Sequence, residues 1–254
     1  MQSDPYAIYR SLFESPAVKS AWMAAYGGRF WNESEPPNSQ ATADDVAFVI
    51  DSLNAGPARL IADFGCGSGC LGRAIAASTR ANVAGIDFNP IAVRLAEERA
   101  GARGLADRLT FKTGDIAATG WPDHHFDGAA SLDVLLFAQD KTAALREIAR
   151  VLKPGARFAG TTFELRKPSE ALSVPAFTDY EAAFVQANLT VETYEETPDW
   201  RGLLERALSA LIAHEATIRQ EVHPAAAERM FTWAHRRGAE LDHSRRVRFC
   251  VTRP

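Results

Sequence analysis

The sequence is poor in cysteine and carries no excess of positive charge. Its three cysteines, Cys66, Cys70 and Cys250, are odd in number and fit no common zinc spacing. We therefore expect free thiols in a reducing compartment rather than a disulfide framework. Lys and Arg number 28 against 32 Asp and Glu, a net charge of −4. This balance argues against a dedicated nucleic-acid-binding protein.

Long hydrophobic runs are also missing. No apolar stretch approaches the length that spans a bilayer. The first ten residues lack the basic region and apolar core of a secretory signal. These absences predict a cytoplasmic globular protein without a membrane anchor, and 254 residues suffice for one sizeable domain.

Strand-like apolar runs alternate with helical segments through the middle of the chain. Strands are predicted at 59–65, 82–88, 109–116, 126–137, 156–164 and 189–196, with helices at 70–78, 90–104, 141–152 and 179–189. This alternation is typical of a doubly wound α/β fold with a mostly parallel sheet. A last strand, expected to be antiparallel, brings the sheet to seven strands.

One domain, 1–254, is expected to hold the whole chain. N-terminal lid helices occupy 1–57, the ligand-binding core 58–197, a helical insertion 198–243 and the last strand 244–254. The insertion is predicted as two helices that break near His223 and Pro224, since Pro does not continue a helix.

A glycine-rich stretch, LIADFGCGSGCLG, follows the first predicted strand. Gly67, Gly69 and Gly72 fit the dinucleotide pattern G-x-G-x-x-G, which alone is a weak signal. Gly65, Gly67 and Gly69 fit a second pattern, G-x-G-x-G, with Asp63 two residues ahead. Either pattern lets a ligand approach the backbone closely. We expect Gly72 to be a packing position between helix and strand.

Three acids end neighbouring predicted strands, at the edge where this fold binds ligands. Asp63, Asp87 and Asp115 would repel a pyrophosphate, but they suit the ammonium, ribose hydroxyls and adenine amine of S-adenosylmethionine. We expect Asp87 at the ribose and Asp115 at the adenine amine, with Phe88 and Ile116 against the adenine ring. Two roles stay open for Asp63: contact with the ammonium, or bracing of the glycine loop.

Five motifs resemble, in order, the signatures of class I S-adenosylmethionine-dependent methyltransferases. They are DFGCGSG, GIDF, TGDI, FDGAASLDVLLF and REIARVLKPGARF, within residues 58–164. The resemblance implies S-adenosylmethionine as cofactor and S-adenosylhomocysteine as product. It adds Gly65, Cys66, Gly67 and Ser131 to the expected cofactor contacts. The N-terminal helices and the insertion resemble those of small-molecule and natural-product methyltransferases.

The insertion is expected to cover the acceptor site. Its predicted lining consists of five aromatic residues, Tyr26, Phe30, Trp31, Phe137 and Trp200. Aromatic side chains on a lid exclude water and shape a pocket, whereas plain core packing is the competing interpretation.

A general base is needed for a hydroxyl or carbon acid, and hardly for an amine. Asp133 is the candidate catalytic residue, with a cap or a lid hydrogen bond as its alternative role. Relatives often carry a His where Phe137 stands, which puts a base from this loop in doubt. His214, His223 and His235 in the insertion are further candidates.

The predicted partner is a small-molecule acceptor, and the sequence does not distinguish O-, N- or C-methylation. DNA is not expected, because SLDV replaces the Pro-Pro-aromatic and Pro-Cys motifs of DNA enzymes after the fourth strand. No metal site is expected, and the oligomeric state is not predicted. Two alternatives stay open: an RNA methyltransferase that uses the arginines of 236–253, and a non-catalytic cofactor-binding partner protein on the same fold.

Overall fold

The computed structural model describes residues 5–27 and 40–254, in which seven strands form one sheet flanked by helices. The strands are β1 Leu60–Phe64, β2 Asn82–Asp87, β3 Leu109–Thr113, β4 Phe126–Leu132, β5 Leu152–Leu165, β6 Thr190–Glu196 and β7 Ser244–Thr252. The helices are α1 Pro5–Glu14, α2 Pro16–Tyr26, α3 Ala43–Ser52, α4 Cys70–Thr79, α5 Pro90–Ala102, α6 Lys141–Val151, α7 Tyr180–Gln186, α8 Trp200–Ala213, α9 Glu215–Glu221 and α10 Pro224–Ala239. The predicted α/β fold is confirmed.

The strand order is β3-β2-β1-β4-β5-β7-β6. Neighbouring strands from β3 to β5 pair in parallel, while β7 runs antiparallel between β5 and β6, as predicted. The order reverses between β1 and β4, and ligands of such sheets bind outside the carboxyl ends of the strands at this switch point.

Both faces of the sheet are buried. Consecutive strand residues such as Ile61 and Ala62 contribute to different apolar clusters, because side chains alternate between the faces of a sheet. Helices α6 and α7 cover one face, and α3 and α4 cover the other. A sheet buried on both faces explains why its strands read as nearly continuous apolar runs.

Five helices form a separate layer that we call the roof: α1, α2, α8, α9 and α10. One apolar cluster joins α2 to the other helices of the roof, with Trp22, Leu203 and Phe231 among its members. A second cluster joins α8 and α10 to the carboxyl ends of β4 and β5 through Leu136 and Phe163. The roof therefore lies against the edge of the sheet where a ligand would bind.

Some predicted boundaries were wrong. The insertion contains three helices rather than two, since α8 also ends at His214, where neither Gly nor Pro marks the break. The fifth strand begins at Leu152 rather than at 156, because Lys153 precedes Pro154 and a residue before Pro disfavours helical dihedrals. The fourth strand ends at Leu132 rather than 137, where Asp133 turns the chain with φ +56°. Within the described residues, no helix has the length and apolarity needed to cross a bilayer.

Candidate functional site

The loop after β1 is built on three glycines with left-handed backbone. Gly65, Gly67 and Gly69 have φ values of +69°, +50° and +78°, a region that side chains with a Cβ rarely adopt. A Cβ on Gly65 would lie 2.3 Å from Cγ2 of Val134, so the loop packs directly against the segment after β4. The Gly65 N–H donates to the Ile86 carbonyl at 2.8 Å, which holds the loop on β2.

Gly72 lies inside α4 rather than in this loop, as the packing prediction requires. A Cβ there would lie 3.3 Å from both Asp63 Oδ2 and Val83 Cγ1. The loop is therefore formed by the G-x-G-x-G glycines and not by the dinucleotide set.

Asp63, at the end of β1, holds the first turn of α4, which directly follows the glycine loop. Its Oδ2 accepts the Gly72 N–H at 3.1 Å. Its other oxygen, Oδ1, is buried and has no hydrogen-bond partner in the described part of the chain. Burial raises the pKa of Asp63 to about 7, and the charge of Asp87 adds to this effect, while the Gly72 N–H and Arg73 oppose it. Asp63 thus fixes the helix into which the loop leads, and one of its oxygens remains available to a donor.

Asp87 holds the glycine loop from the neighbouring strand. Its Oδ2 accepts the Gly67 N–H at 2.9 Å, and its Oδ1 accepts the Asn89 N–H at 2.9 Å. Burial raises the pKa of this carboxyl, while the two N–H groups oppose the shift. A carboxylate offers about four acceptor positions, so Asp87 still has capacity for ribose hydroxyls.

The other residues predicted to contact the adenine lie around the ends of β2 and β3. The Phe88 side chain is 79% exposed, which is unusual for a large apolar residue and leaves its ring open to a ligand. Asp115 is exposed, and its Oδ1 accepts the Ala117 N–H at 2.8 Å. Ile116 is buried beside it. These positions suit a planar ring with an exocyclic amine.

Cys66 and Ser131 are both buried near the glycine loop. Burial raises the pKa of the Cys66 thiol, so it stays protonated and unreactive at neutral pH. The Ser131 hydroxyl oxygen is buried in β4 without a hydrogen-bond partner among the described residues.

Asp133 belongs to a buried ionic cluster. Its Oδ1 accepts from Arg246 Nε at 3.0 Å and from the Thr161 hydroxyl at 2.9 Å. Its Oδ2 accepts from Arg246 Nη2 at 3.2 Å and from the Gln40 N–H at 3.1 Å. Arg246 also donates from Nη1 to Asp45 Oδ2 at 2.8 Å. Both oxygens of Asp133 are therefore occupied, which fits a positioning role better than proton transfer.

The predicted acceptor residues divide into three groups. Tyr26 is buried in the roof, and its hydroxyl donates to the Gln40 carbonyl at 3.3 Å, next to the ionic cluster. Phe137 is half exposed after β4, and Trp200 is buried, with its ring edge-on to Phe163. Trp200 thus packs in the roof cluster, whereas Phe30 and Trp31 lie outside the described residues.

The candidate histidine bases of the insertion contact other residues of the insertion. His214 is exposed, and the His235 side chain is 57% exposed beside Glu215. The His223 Nδ1 accepts the Ala225 N–H and caps α10. Among the described residues, no group of three or more His, Cys, Asp or Glu side chains is placed to hold a metal ion.

Sequence reasoning missed the partners of Asp133. Asp45 forms the capping box of α3 with Thr42. In a sequence, such a pattern predicts the start of a helix and does not indicate a site residue. Arg246 stands beside Arg245 in an alternating strand, where one of two adjacent side chains has to face inward. This alternation could have predicted that one of these two arginines is buried.

Known proteins resemble this chain in sequence and in fold. Residues 62–160 match the family described as "Methyltransferase domain". Methyltransferase phqN of Penicillium fellutanum is 33% identical over 48% of the chain and 37% of its own length. The 27-O-demethylrifamycin SV methyltransferase of Amycolatopsis mediterranei is 29% identical over 74% of the chain and 79% of its own length.

A solved structure shows the shared fold. The [4+2]-cyclase SpnF superposes with a TM-score of 0.76 at 22% identity, over 94% of this chain and 93% of that one. The chain spans well under half the length of several curated relatives that it matches. Residues 62–160 nevertheless carry the glycine loop, Asp63, Asp87 and Asp115 in family order, and they form a methyltransferase domain of the class I, S-adenosylmethionine-dependent family.

Proposed function

We propose that this protein transfers a methyl group from S-adenosylmethionine to a small-molecule acceptor. The observation that carries the proposal is the pair of buried acids, Asp63 and Asp87, that hold a left-handed glycine loop and the helix after it at the switch point of the sheet. The carboxyl oxygens there accept hydrogen bonds from the donor groups of the sulfonium ligand, whereas the pyrophosphate of a dinucleotide offers only acceptors.

The bound cofactor would supply an electrophilic methyl group, and the chain's residues would position it. Asp87 would accept from the ribose hydroxyls and Phe88 would stack on the adenine. Asp63 Oδ1 and the Ser131 hydroxyl are buried without a hydrogen-bond partner among the described residues, and these atoms would be available to the rest of the cofactor. Much of the acceleration of such a displacement comes from holding the two reactants in line.

The acceptor would lie between the roof and the carboxyl ends of β4 and β5. The second roof cluster brings Phe163 and Leu136 to this edge, and the first brings Tyr26 toward it. An apolar wall with a few polar groups is the usual lining of a small-molecule site. Relatives named as sterol and natural-product methyltransferases agree with a small acceptor.

RNA is disfavoured as the acceptor, because the late arginines do not form a basic patch. Arg245 pairs with Glu164 and Glu196, and Arg248 pairs with Glu195. Arg237 and Arg246 are buried. Of the six arginines of 236–253, two, Arg236 and Arg253, are left outside the core and without an ion pair in the described structure, so little remains to neutralise phosphates.

Cofactor binding and turnover test the proposal separately. Calorimetry should show S-adenosylmethionine and S-adenosylhomocysteine binding with micromolar affinity, roughly −8 kcal/mol, and no binding of NAD. Incubation with S-adenosylmethionine and a small-molecule library should then add the mass of one methyl group to an acceptor. Because one fold can host different functions, cofactor binding without any methylated product would favour the non-catalytic alternative, a cofactor-binding partner protein on the same fold.

A variant of Asp133 decides between its two roles. If Asp133 positions the site through Arg246, Asp133→Asn and Arg246→Met should lower the melting temperature together and leave the pH profile of turnover unchanged. A base would behave differently: Asp133→Asn would abolish turnover at temperatures where the variant is folded, while Arg246→Met would shift the pH profile.

A further inference from the structure

Arg237 of α10 points inward from the roof and is fully buried. Its Nη1 donates to the Ser244 hydroxyl at 2.8 Å and lies 3.5 Å from Glu240 Oε2. Its Nε and Nη2 have no hydrogen-bond partner in the described part of the chain. A buried guanidinium is thus satisfied on one side only.

The two unpartnered nitrogens share one edge of the guanidinium plane. In arginine, the Nε–H and one N–H of Nη2 point in the same direction, while Nη1 faces the other way. This edge is the two-pronged donor that matches the two oxygens of a carboxylate. The free edge of Arg237 therefore has the shape of an incomplete Arg–carboxylate pair.

Glu240 does not complete this pair on the free edge, because its approach to Arg237 is on the other side, where Oε2 lies 3.5 Å from Nη1. Its Oε1 accepts the Ala171 N–H at 2.9 Å, and its Oε2 accepts the Ser169 hydroxyl. Burial lowers the pKa of Arg237, and Glu240 and Asp133 oppose the shift, but an arginine keeps its charge in proteins. A buried cation with unmade hydrogen bonds is costly, so an anion from outside the chain would relieve the cost.

The position of Arg237 links it to the crevice. Its Cζ lies 5.0 Å from the centre of the Phe163 ring, near the carboxyl end of β5. The Cζ of Arg246 lies 5.9 Å from the centre of the same ring, and Arg246 binds Asp133 directly after β4. One aromatic side chain therefore separates Arg237 from the cluster beside the glycine loop.

We propose that the free edge of Arg237 binds a carboxylate of the methyl acceptor and anchors that end of the molecule under the roof. The acceptor is then a carboxylic acid with an apolar body, whose nucleophilic atom lies at the crevice side of Phe163. That the bound molecule is a methyl acceptor rests on the proposed function, whereas the carboxylate site itself does not.

A matched pair of probes tests the site without turnover. Octanoate and 1-octanol share an apolar chain and differ in the carboxylate. In calorimetry, with and without saturating S-adenosylhomocysteine, the wild-type protein should bind octanoate at least tenfold more tightly than 1-octanol. Arg237→Met should abolish this preference, and Arg237→Lys should reduce it, because a lysine keeps the charge but not the two-pronged edge.

Arg236→Met is the control, because Arg236 is the exposed neighbour on α10 and its loss should leave the preference intact. Equal binding of both probes to the wild-type protein, or a preference that survives in Arg237→Met, would overturn the proposal and leave Arg237 a structural residue. If Arg237→Met does not fold by circular dichroism, the wild-type comparison and Arg237→Lys still decide. If the wild-type protein does not bind S-adenosylhomocysteine, that result would count against the proposed function. The preference for octanoate, measured without S-adenosylhomocysteine, would still test the carboxylate site.

Discussion

At the scale of single residues, the carboxylates of Asp63 and Asp87 mainly accept hydrogen bonds from backbone N–H groups. Asp87 accepts from Gly67 and Asn89, and Asp63 accepts from Gly72. Asp87 therefore shapes the glycine loop, Asp63 fixes the helix after it, and each keeps some capacity for the cofactor itself. Substitution should affect ligand binding and loop geometry together.

Asp87→Ala should weaken S-adenosylhomocysteine binding by more than tenfold. Losing a charged acceptor for two hydroxyls costs about 2–4 kcal/mol, and the Gly67 N–H also loses its partner. Calorimetry measures the affinity, and circular dichroism checks that the fold is retained. Asp107→Ala, which removes an exposed acid near β3, is the control. Unchanged affinity in Asp87→Ala would mean that the ribose is held elsewhere.

Asp63 should make stability depend on pH. Folded Asp63 keeps its proton up to pH about 7, whereas its ordinary pKa is 3.8. Between these values the folded state binds the extra proton, so the free energy of unfolding falls as pH rises from about 4 to about 7. Asp63→Asn removes this titration and preserves an acceptor for Gly72.

Urea denaturation of both proteins at several pH values checks this expectation. The wild-type protein should lose stability relative to Asp63→Asn as pH rises from 4 to 7, and the difference should be constant above that. Comparing the two proteins cancels the titration of other groups. A difference that stays the same at every pH would contradict a raised pKa for Asp63.

At the scale of elements, the conformation of the glycine loop depends on how closely the segments that follow β1 and β4 pack against each other. Gly65 and Gly104 have nearly the same φ, +69° and +67°, but different surroundings. A Cβ on Gly65 would collide with Val134, whereas a Cβ on Gly104 meets no atom within 4 Å. The two positions therefore separate backbone strain from close packing.

Gly104→Ala should cost about 1–2 kcal/mol of stability from left-handed strain alone. Gly65→Ala should cost about 1–3 kcal/mol more, because the added methyl overpacks the contact with Val134. Urea denaturation measures both values, and S-adenosylhomocysteine binding should fall only for Gly65→Ala. Equal costs for the two variants would show that the approach of Val134 is not a constraint.

For the molecule as a whole, the sequence predicted what depends on local pattern. The alternation of apolar strands and helices predicted the sheet, and the glycine spacing predicted the loop that Asp87 holds. The sequence could not predict long-range pairs such as Asp133 with Arg246, which are 113 residues apart. Arg237 was likewise missed, although its i+3 spacing from Ala234 places it on the buried face of α10. Tertiary packing, rather than local propensity, decides such positions.

Two apolar clusters stabilise the roof, and both include residues of α8. Adjacent leucines of this helix belong to different clusters. Leu203 belongs to the cluster within the roof, and Leu204 belongs to the cluster that reaches Leu136 and Phe163 at the edge of the sheet. Both side chains are buried to the same degree, 2% and 1% exposed. Their conservative replacement therefore distinguishes general destabilisation from an effect on the acceptor site.

Leu203→Val and Leu204→Val should each cost about 1 kcal/mol of stability. If the roof shapes the acceptor site, only Leu204→Val should lower kcat/KM for the acceptor by severalfold, because it loosens the wall formed by Phe163. Neither variant should change the Kd of S-adenosylhomocysteine, since both leucines lie outside the glycine loop. A parallel loss of kcat/KM in both variants would assign the effect to stability. No loss in either would place the acceptor away from the roof, whereas loss in Leu204→Val alone would tie the second cluster to acceptor turnover.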